Sequence, residues 1–404
     1  MGQILSQPMT TISEEYDECD NLVYVSAAMQ GWRRFMEDAQ CIVLQKKNVN
    51  VNDEANSTTL PAQHYFALFD GHSGGEASKY CAQELHGILK KNMISSDTIE
   101  DKKKALTTSF LEMDVKMQSS AGQMALRALS ELDDEHPELD CKAEAVARFL
   151  IERAQKKKQL EREDAPPPKV RRRRRSLTMD GDEALSVGRA RVLKYDLPTE
   201  KEECAKQPKE EDTKKSSAGT TALVVLMHGN ELLVANAGDC RCVLSRNGIA
   251  VDLSEDHKPE LEREMVRIEA AGSRVHQGRI DGGLNLSRAL GDFDFKKSFL
   301  CPEKQAVSPC PEFRTATIDH CTDEFMILAC DGIWEVMSSQ QVVDFVQQSL
   351  KQVTSNEHTF VFLQSILKNL FQYCMASQRK GHMETGIGLD NMSAILILFR
   401  NNST

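Results

Sequence analysis

The chain has 404 residues, of which 40% are hydrophobic and 27% charged, with a formal net charge of -11. That apolar fraction supports a sizeable core and excludes wholesale disorder, while the acidic balance argues against bulk nucleic-acid binding. No run of eighteen or more apolar residues reads as a spanning helix and no charged-then-apolar leader opens the chain, so an intracellular protein, cytoplasmic or nuclear, is expected.

In chain order, Met1-Gly2-Gln3-Ile4-Leu5-Ser6 fits the pattern for N-myristoylation at Gly2. The plainer alternative is a flexible polar start. A single acyl chain gives only weak, reversible membrane association. Residues 1–21 read as a tail, 22–400 as one folded domain, and 401–404 as a short end. Within the domain, residues 22–110 alternate apolar runs with Gly/Asp-rich turns. Residues 119–216 then turn rich in Glu, Lys, Arg and Ala and carry Pro166-Pro167-Pro168 and a run of five arginines, Arg171 to Arg175. Apolar spacing predicts amphipathic helices over 124–160, followed by a solvated linker. Dense patterning returns over 218–399. The chain therefore reads as one core interrupted by a long insertion, a length of loop that closure entropy tolerates. The twelve cysteines are scattered, with only Cys240 and Cys242 close together and no C-x-x-C spacing. Reduced structural thiols are expected.

The informative segments share one grammar. His64-Tyr65-Phe66-Ala67-Leu68-Phe69 is a short apolar run, predicting a buried strand, and it stops at Asp70-Gly71-His72-Ser73-Gly74-Gly75 before a helical pattern over 76–89. Phe325-Met326-Ile327-Leu328-Ala329-Cys330 stops at Asp331-Gly332, and Leu232-Leu233-Val234-Ala235-Asn236-Ala237 runs into Gly238-Asp239. Asp390-Asn391 reverses the order and precedes an apolar run over 394–399. Taken singly, each Asp-Gly pair is ordinary turn chemistry. Together they are not, because an ionised carboxylate beside a buried strand is costly unless something pairs with it. Glu37 and Asp38 join the set. It is all oxygen, which points to hard cations such as Mg2+ or Mn2+ rather than Zn2+. Carboxylates around two such ions suit hydrolysis of a phosphate ester.

Gly31-Trp32-Arg33-Arg34-Phe35-Met36-Glu37-Asp38 resembles the first motif of the metal-dependent Ser/Thr protein phosphatases of type 2C, and Phe69 to Gly75 resembles the second. Ala218-Gly219-Thr220-Thr221-Ala222, Asn236-Ala237-Gly238-Asp239, Leu286-Ser287-Arg288-Ala289-Leu290-Gly291-Asp292, Ala329-Cys330-Asp331-Gly332-Ile333-Trp334 and Asp390-Asn391-Met392-Ser393 follow in the family's order. The opening residues and the long insertion look most like the gamma-type (magnesium-dependent 1G) branch, although the insertion here balances both charges where that branch's is acidic.

The resemblance implies an α+β fold, an αββα sandwich of two mostly antiparallel sheets flanked by helices. It implies a phosphatase catalytic domain over 22–400, acting as a monomer on phosphoserine and phosphothreonine proteins. By the same resemblance, Asp70 bridges two Mg2+ or Mn2+ ions and the Gly71 carbonyl completes the first site. Glu37, Asp331 and Asp390 hold the second ion, and Asp239 helps form a weaker third site beside Asp331. Glu335 stands where an Asp would follow Asp-Gly-Ile-Trp. Asp38 orients the attacking water, Arg33 grips the phosphate and His72 protonates the leaving oxygen as general acid. Trp32 and Trp334 are expected to pack, His257 to fix a loop, and Arg288 with Asp292 to form a structural pair.

Lys169 to Arg175 followed by Ser176 reads as a solvated charge run, a nuclear-import signal or a phosphorylation target at Ser176. Two other classes of protein compete with the enzyme: a phosphatase-like fold that binds phosphoproteins without turnover, and a nucleic-acid adaptor acting through the arginines. No aromatic residue interleaves with that run, which disfavours the adaptor.

Overall fold

The computed structural model describes residues 4–19, 21–45, 63–93, 98–135, 215–352, 360–375 and 386–400. Gly2, the arginine run, Ser176 and the insertion beyond residue 135 lie outside them. Apart from Lys215, the described residues belong to one unit built from 1–148 and 216–404. Its first part contains strands β1 (Ile4–Cys19), β2 (Leu22–Arg33), β3 (Ala39–Val43), β4 (Gln63–Phe69) and β5 (Gly71–His72). Helices α1 (Glu76–Asn92), α2 (Ile99–Gln118) and α3 (Ser120–Glu135) follow. Next come β6 (Gly219–Thr220), β7 (Ala222–His228), β8 (Glu231–Ala237), β9 (Arg241–Arg246) and β10 (Ile249–Asp252), then helix α4 (Glu262–Ala270). Short strands β11 (Val275–His276), β12 (Arg279–Ile280) and β13 (Leu290–Gly291) lead to β14 (Glu312–Thr317) and β15 (Asp323–Ala329). The one-turn α5 (Asp331–Trp334), α6 (Ser339–Lys351), α7 (Phe360–Cys374) and β16 (Met392–Phe399) complete the described α-helices and strands.

Two antiparallel sheets carry the fold: a six-stranded one in the order β1-β2-β16-β15-β9-β10 and a five-stranded one in the order β14-β8-β7-β4-β3. Period-two side-chain alternation explains why their central strands are apolar throughout. Met392, Ala394, Leu396 and Leu398 of β16 pack against α6 and α7, while Ile395, Ile397 and Phe399 face the other sheet. β15 divides the same way, with Phe325 and Ile327 towards the helices and Met326 and Leu328 towards the sandwich interior. Both faces are therefore dry, and no polar alternation survives in the sequence. Helices α1 and α2 cover the five-stranded sheet, completing the expected αββα layering. Capping boxes start two of the helices, Thr98 with Asp101 on α2 and Ser338 with Gln341 on α6.

Two boundaries differ from those expected of the sequence. Residues 4–19 are an edge strand rather than a tail: β1 pairs antiparallel with β2, Cys19 opposite Leu22 and Ile4 opposite Arg33. Its polar pattern hid it, since an edge strand keeps most side chains in water and tolerates Pro8 and charges that discourage further pairing. Ile12 packs on the sheet core and the Tyr16 ring stacks on Phe360 with centroids 3.9 Å apart. The insertion, expected from 119, begins with α3, which belongs to the core. Leu126 and Leu129 are buried, and the Gln123 side chain bonds to Met117 O at 3.0 Å and accepts from Ser216 N at 2.9 Å.

A smaller core forms outside the sandwich, where Ile268, Ile280, Leu286 and Val307 pack under α4 and the β11–β12 hairpin. Strand β13 leaves this subdomain to join β6 and β5 in a three-stranded sheet. The ten cysteines among the described residues are all free. No helix among the described residues is long and apolar enough to cross a membrane.

Candidate active site

The two sheets bring their acidic strand ends together. Asp70 follows β4 and Asp239 follows β8, both of the five-stranded sheet, whereas Asp331 follows β15 and Asp390 precedes β16 in the six-stranded sheet. One carboxylate oxygen each from Asp70, Asp239 and Asp331 lie within 4.8 Å of one another. Asp70 is held by its backbone. Its N–H donates to Thr221 Oγ1 at 3.0 Å, and its carbonyl accepts from Thr221 N at 2.9 Å and from Thr220 Oγ1 at 3.0 Å. A Cβ on Gly71 would lie 2.2 Å from Glu37 O, so only glycine lets the Glu37 backbone approach the turn.

Like charges at this distance, in a buried place, resist ionisation together. Burial first, and then Asp38, Asp331, Asp390 and Asp239, hold the Asp70 carboxyl well above the ordinary carboxylate range. Asp331 is raised in the same way by burial, Asp239, Asp390 and Glu335. Burial, with Asp390 adding to it, pushes Asp38 up to about 7, and Asp38 Oδ2 has no hydrogen-bond partner among the described residues. A buried group of oxygen donors that outnumber the cationic side chains beside them, with an orphaned acceptor among them, fits a hard divalent cation, Mg2+ or Mn2+.

The other expected site residues border this cluster, and several already hold partners. Arg33 pairs with Asp390, and Lys258 pairs with Asp239. The Lys258 contact was not foreseen, because Asp256-His257-Lys258-Pro259 reads as a loop in sequence. Glu37 Oε1 accepts from Gly74 N at 2.7 Å, and its carboxyl is raised mainly by burial. Asn391 was also missed as a positioning group. Its Oδ1 accepts from Glu37 N at 2.9 Å, and its Nδ2 donates to Gln30 O at 2.8 Å and Phe35 O at 3.1 Å, tying the first motif to the start of β16. Trp32 and Trp334 are buried as expected, the Trp334 indole donating to Ala329 O at 2.7 Å. His257, also buried, engages the Gly238 backbone and so fixes the turn that carries Asp239.

The expected pairing of Arg288 with Asp292 does not form. Arg288 turns to Glu264 and Glu312, each at 2.6 Å, and Asp292 faces His72 instead. Between them the chain bends sharply: Gly291, at the end of β13, and Asp292 both take left-handed backbone, at φ of 81° and 50°.

A family model described as Protein phosphatase 2C matches residues 22–136 and 124–383. The chain belongs to the protein phosphatase 2C family. Probable protein phosphatase 2C 11 of Oryza sativa subsp. japonica is 35% identical over 407 residues, spanning 100% of this chain and 92% of that protein. Protein phosphatase 2C homolog 3 of Schizosaccharomyces pombe is 33% identical over 98% of this chain and 69% of its own length. Protein phosphatase 1G of Homo sapiens reaches 49% identity over 193 residues, 47% of this chain and 34% of that protein. Among solved structures, a phosphatase from a pathogenic strain of Toxoplasma gondii aligns over 97% of this chain and 96% of its own. Its TM-score is 0.56 at 20% sequence identity, a likeness of fold. This phosphatase is thus an enzyme of the protein Ser/Thr class, metal-dependent as its family is, and its family's substrates are phosphoproteins.

Proposed function

We propose that this phosphatase hydrolyses phosphoserine and phosphothreonine in proteins by attack of water at a centre of two Mg2+ or Mn2+ ions. The observation that carries the reading is the meeting of Asp70, Asp239 and Asp331 from three strands in two sheets. Asp70 and the Gly71 carbonyl would hold one ion and share Asp70 with a second, held also by Glu37, Asp331 and Asp390. Asp239 serves a third, weaker position beside Asp331. Bound there, the ions ease loss of a proton from water and neutralise charge on the phosphoryl oxygens.

The remaining steps belong to the chain's own side chains. Asp38 offers its unpartnered Oδ2 to the attacking water, fixing its approach. Arg33, at the rim and about one-third exposed, presents a planar fork suited to phosphoryl oxygens; substrate draws it from Asp390. His72 gives a proton to the departing serine or threonine oxygen, which leaves poorly as an alkoxide. Burial lowers its proton affinity, but the carboxylates around it, Asp292 foremost and then Asp239 and Glu37, together outweigh this, and the net shift is upward. An imidazole with raised proton affinity suits an acid.

The test is phosphate release from a phosphothreonine peptide with added Mn2+ or Mg2+, with excess chelator, and with Asp70→Asn in parallel. Release that needs metal and is lost in Asp70→Asn is expected. No release from folded, metal-supplemented wild type across several peptides would favour a phosphoprotein-binding role instead.

A further inference from the structure

The segment Leu286 to Asp292 supplies no group that touches ion or substrate in the proposed reaction, yet its last residue points at the acid. Both carboxylate oxygens of Asp292 lie 2.8 Å from His72 Nε2. Asp292 is 3% exposed, so the contact is shielded from water. The three-stranded sheet builds it: Gly219 of β6 lies opposite His72 of β5 on one side and opposite Gly291 of β13 on the other. Gly219 is required there, because a Cβ on it would stand 2.1 Å from Asp292 Oδ2.

The turn that carries Asp292 is itself pinned. Gly291 N donates to Asp114 Oδ1 at 2.9 Å, and the same oxygen receives Lys296 Nζ at 2.7 Å. Lys296 Nζ also donates to Ala289 O at 3.0 Å. A residue with a side chain in left-handed backbone persists only where its surroundings over-determine it. Here the surroundings aim one carboxylate at one imidazole nitrogen.

We propose that Asp292 is a positioning residue for the acid step, holding the His72 ring through Nε2 so that Nδ1 faces the departing oxygen. The inference rests on the reading of His72 as the acid. As the water oxygen bonds to phosphorus and the phosphorus–oxygen bond to the side chain breaks, the Nδ1 proton moves to that oxygen. Nε2 keeps its proton, donated throughout to Asp292, so the carboxylate gains and loses nothing. A carboxylate that serves only to close the small sheet would support every substrate equally. One that aims a proton matters only where the leaving group needs it.

That difference is the test. Turnover of a phosphoserine peptide, whose alkoxide must be protonated, is compared with turnover of p-nitrophenyl phosphate, whose phenolate leaves without a proton. Wild type, Asp292→Asn, His72→Gln and the double variant are measured at saturating Mn2+, with circular dichroism to check folding. The loss in Asp292→Asn on the peptide should exceed its loss on the aryl ester by about tenfold or more. The double variant should be no slower on the peptide than His72→Gln, since one step is removed in both. Equal proportional losses on the two substrates in Asp292→Asn, or losses that multiply in the double variant, would overturn the proposal. If His72→Gln itself falls equally on both substrates, it is the acid assignment that fails. Gly219→Ala, which pushes the same carboxylate from the opposite strand, provides a second variant with the same expected signature should Asp292→Asn not fold.

Discussion

Two regions of this phosphatase bury carboxylates, and they bury them to opposite ends. In the subdomain beside the sandwich, Glu264 is 1% exposed and surrounded by donors. Arg288 Nη2 lies 2.6 Å away, Arg267 Nη1 2.7 Å, and Ser287 Oγ 2.7 Å. Burial alone would raise its carboxyl, but these partners bring it down to about 2. In the cleft the neighbours of Asp70 and Asp331 are other carboxylates, and both are raised. Burial of an acid therefore identifies nothing by itself. What faces it decides whether the acid closes a network or waits for a cation.

Removing one charge from each region should act with opposite sign on stability. Glu264→Gln takes the buried countercharge from Arg267, leaving it only backbone carbonyls, and leaves Arg288 with Glu312 alone; it should destabilise the protein by roughly 3–5 kcal/mol, read from the denaturation midpoint. Asp331→Asn relieves repulsion, so without metal it should melt no lower than wild type, while its metal-dependent turnover drops about a hundredfold or more. A lower melting point in chelator for Asp331→Asn would break the comparison.

Metal should close the gap from the other side. At about a hundred times its dissociation constant, Mn2+ should add about 2.7 kcal/mol to wild type, a rise of a few degrees in thermal melts; Asp70→Asn should lose most of it. The acid limb of stability belongs to the paired region. Because Glu264 is lowered from 4.5 to about 2, the unfolded chain binds more protons in that window. Its contribution is complete above the unfolded value and is lost as pH falls through the folded one, so stability should fall between about pH 5 and 2, less steeply in Glu264→Gln. The smallest effect expected is that of deleting residues 136–214. Every proposed catalytic and metal-holding residue lies outside them, so aryl phosphate turnover should stay within about threefold of wild type. A deletion starting at 123 would also remove Leu126 and Leu129 from the core and should melt lower.

Local rules were enough for much of this molecule. Apolar runs ending at Asp70, Asp239 and Asp331, and starting after Asp390, are legible because a strand dry on both faces must be apolar at every position. A carboxylate at its end then stands out against the cost of burial. The same rules misplaced two edges. β1 shows no apolar run because it sits at the rim of a sheet, and α3 resembles the charged segment that follows it because only one of its faces is buried.

Where the acids stand along the chain, and hence the class of ion and chemistry, is local information, because strand period and turn chemistry act over a few residues. Tertiary structure alone decided which groups meet. Asp70 and Asp331 come from different sheets, Lys258 reaches back to Asp239 past the whole β9–β10 hairpin, and His72 finds Asp292 from 220 positions away while Arg288, four residues before it, turns to Glu264. Such contacts depend on sheet register and on two left-handed residues at a turn, and neither leaves a periodic trace in the chain.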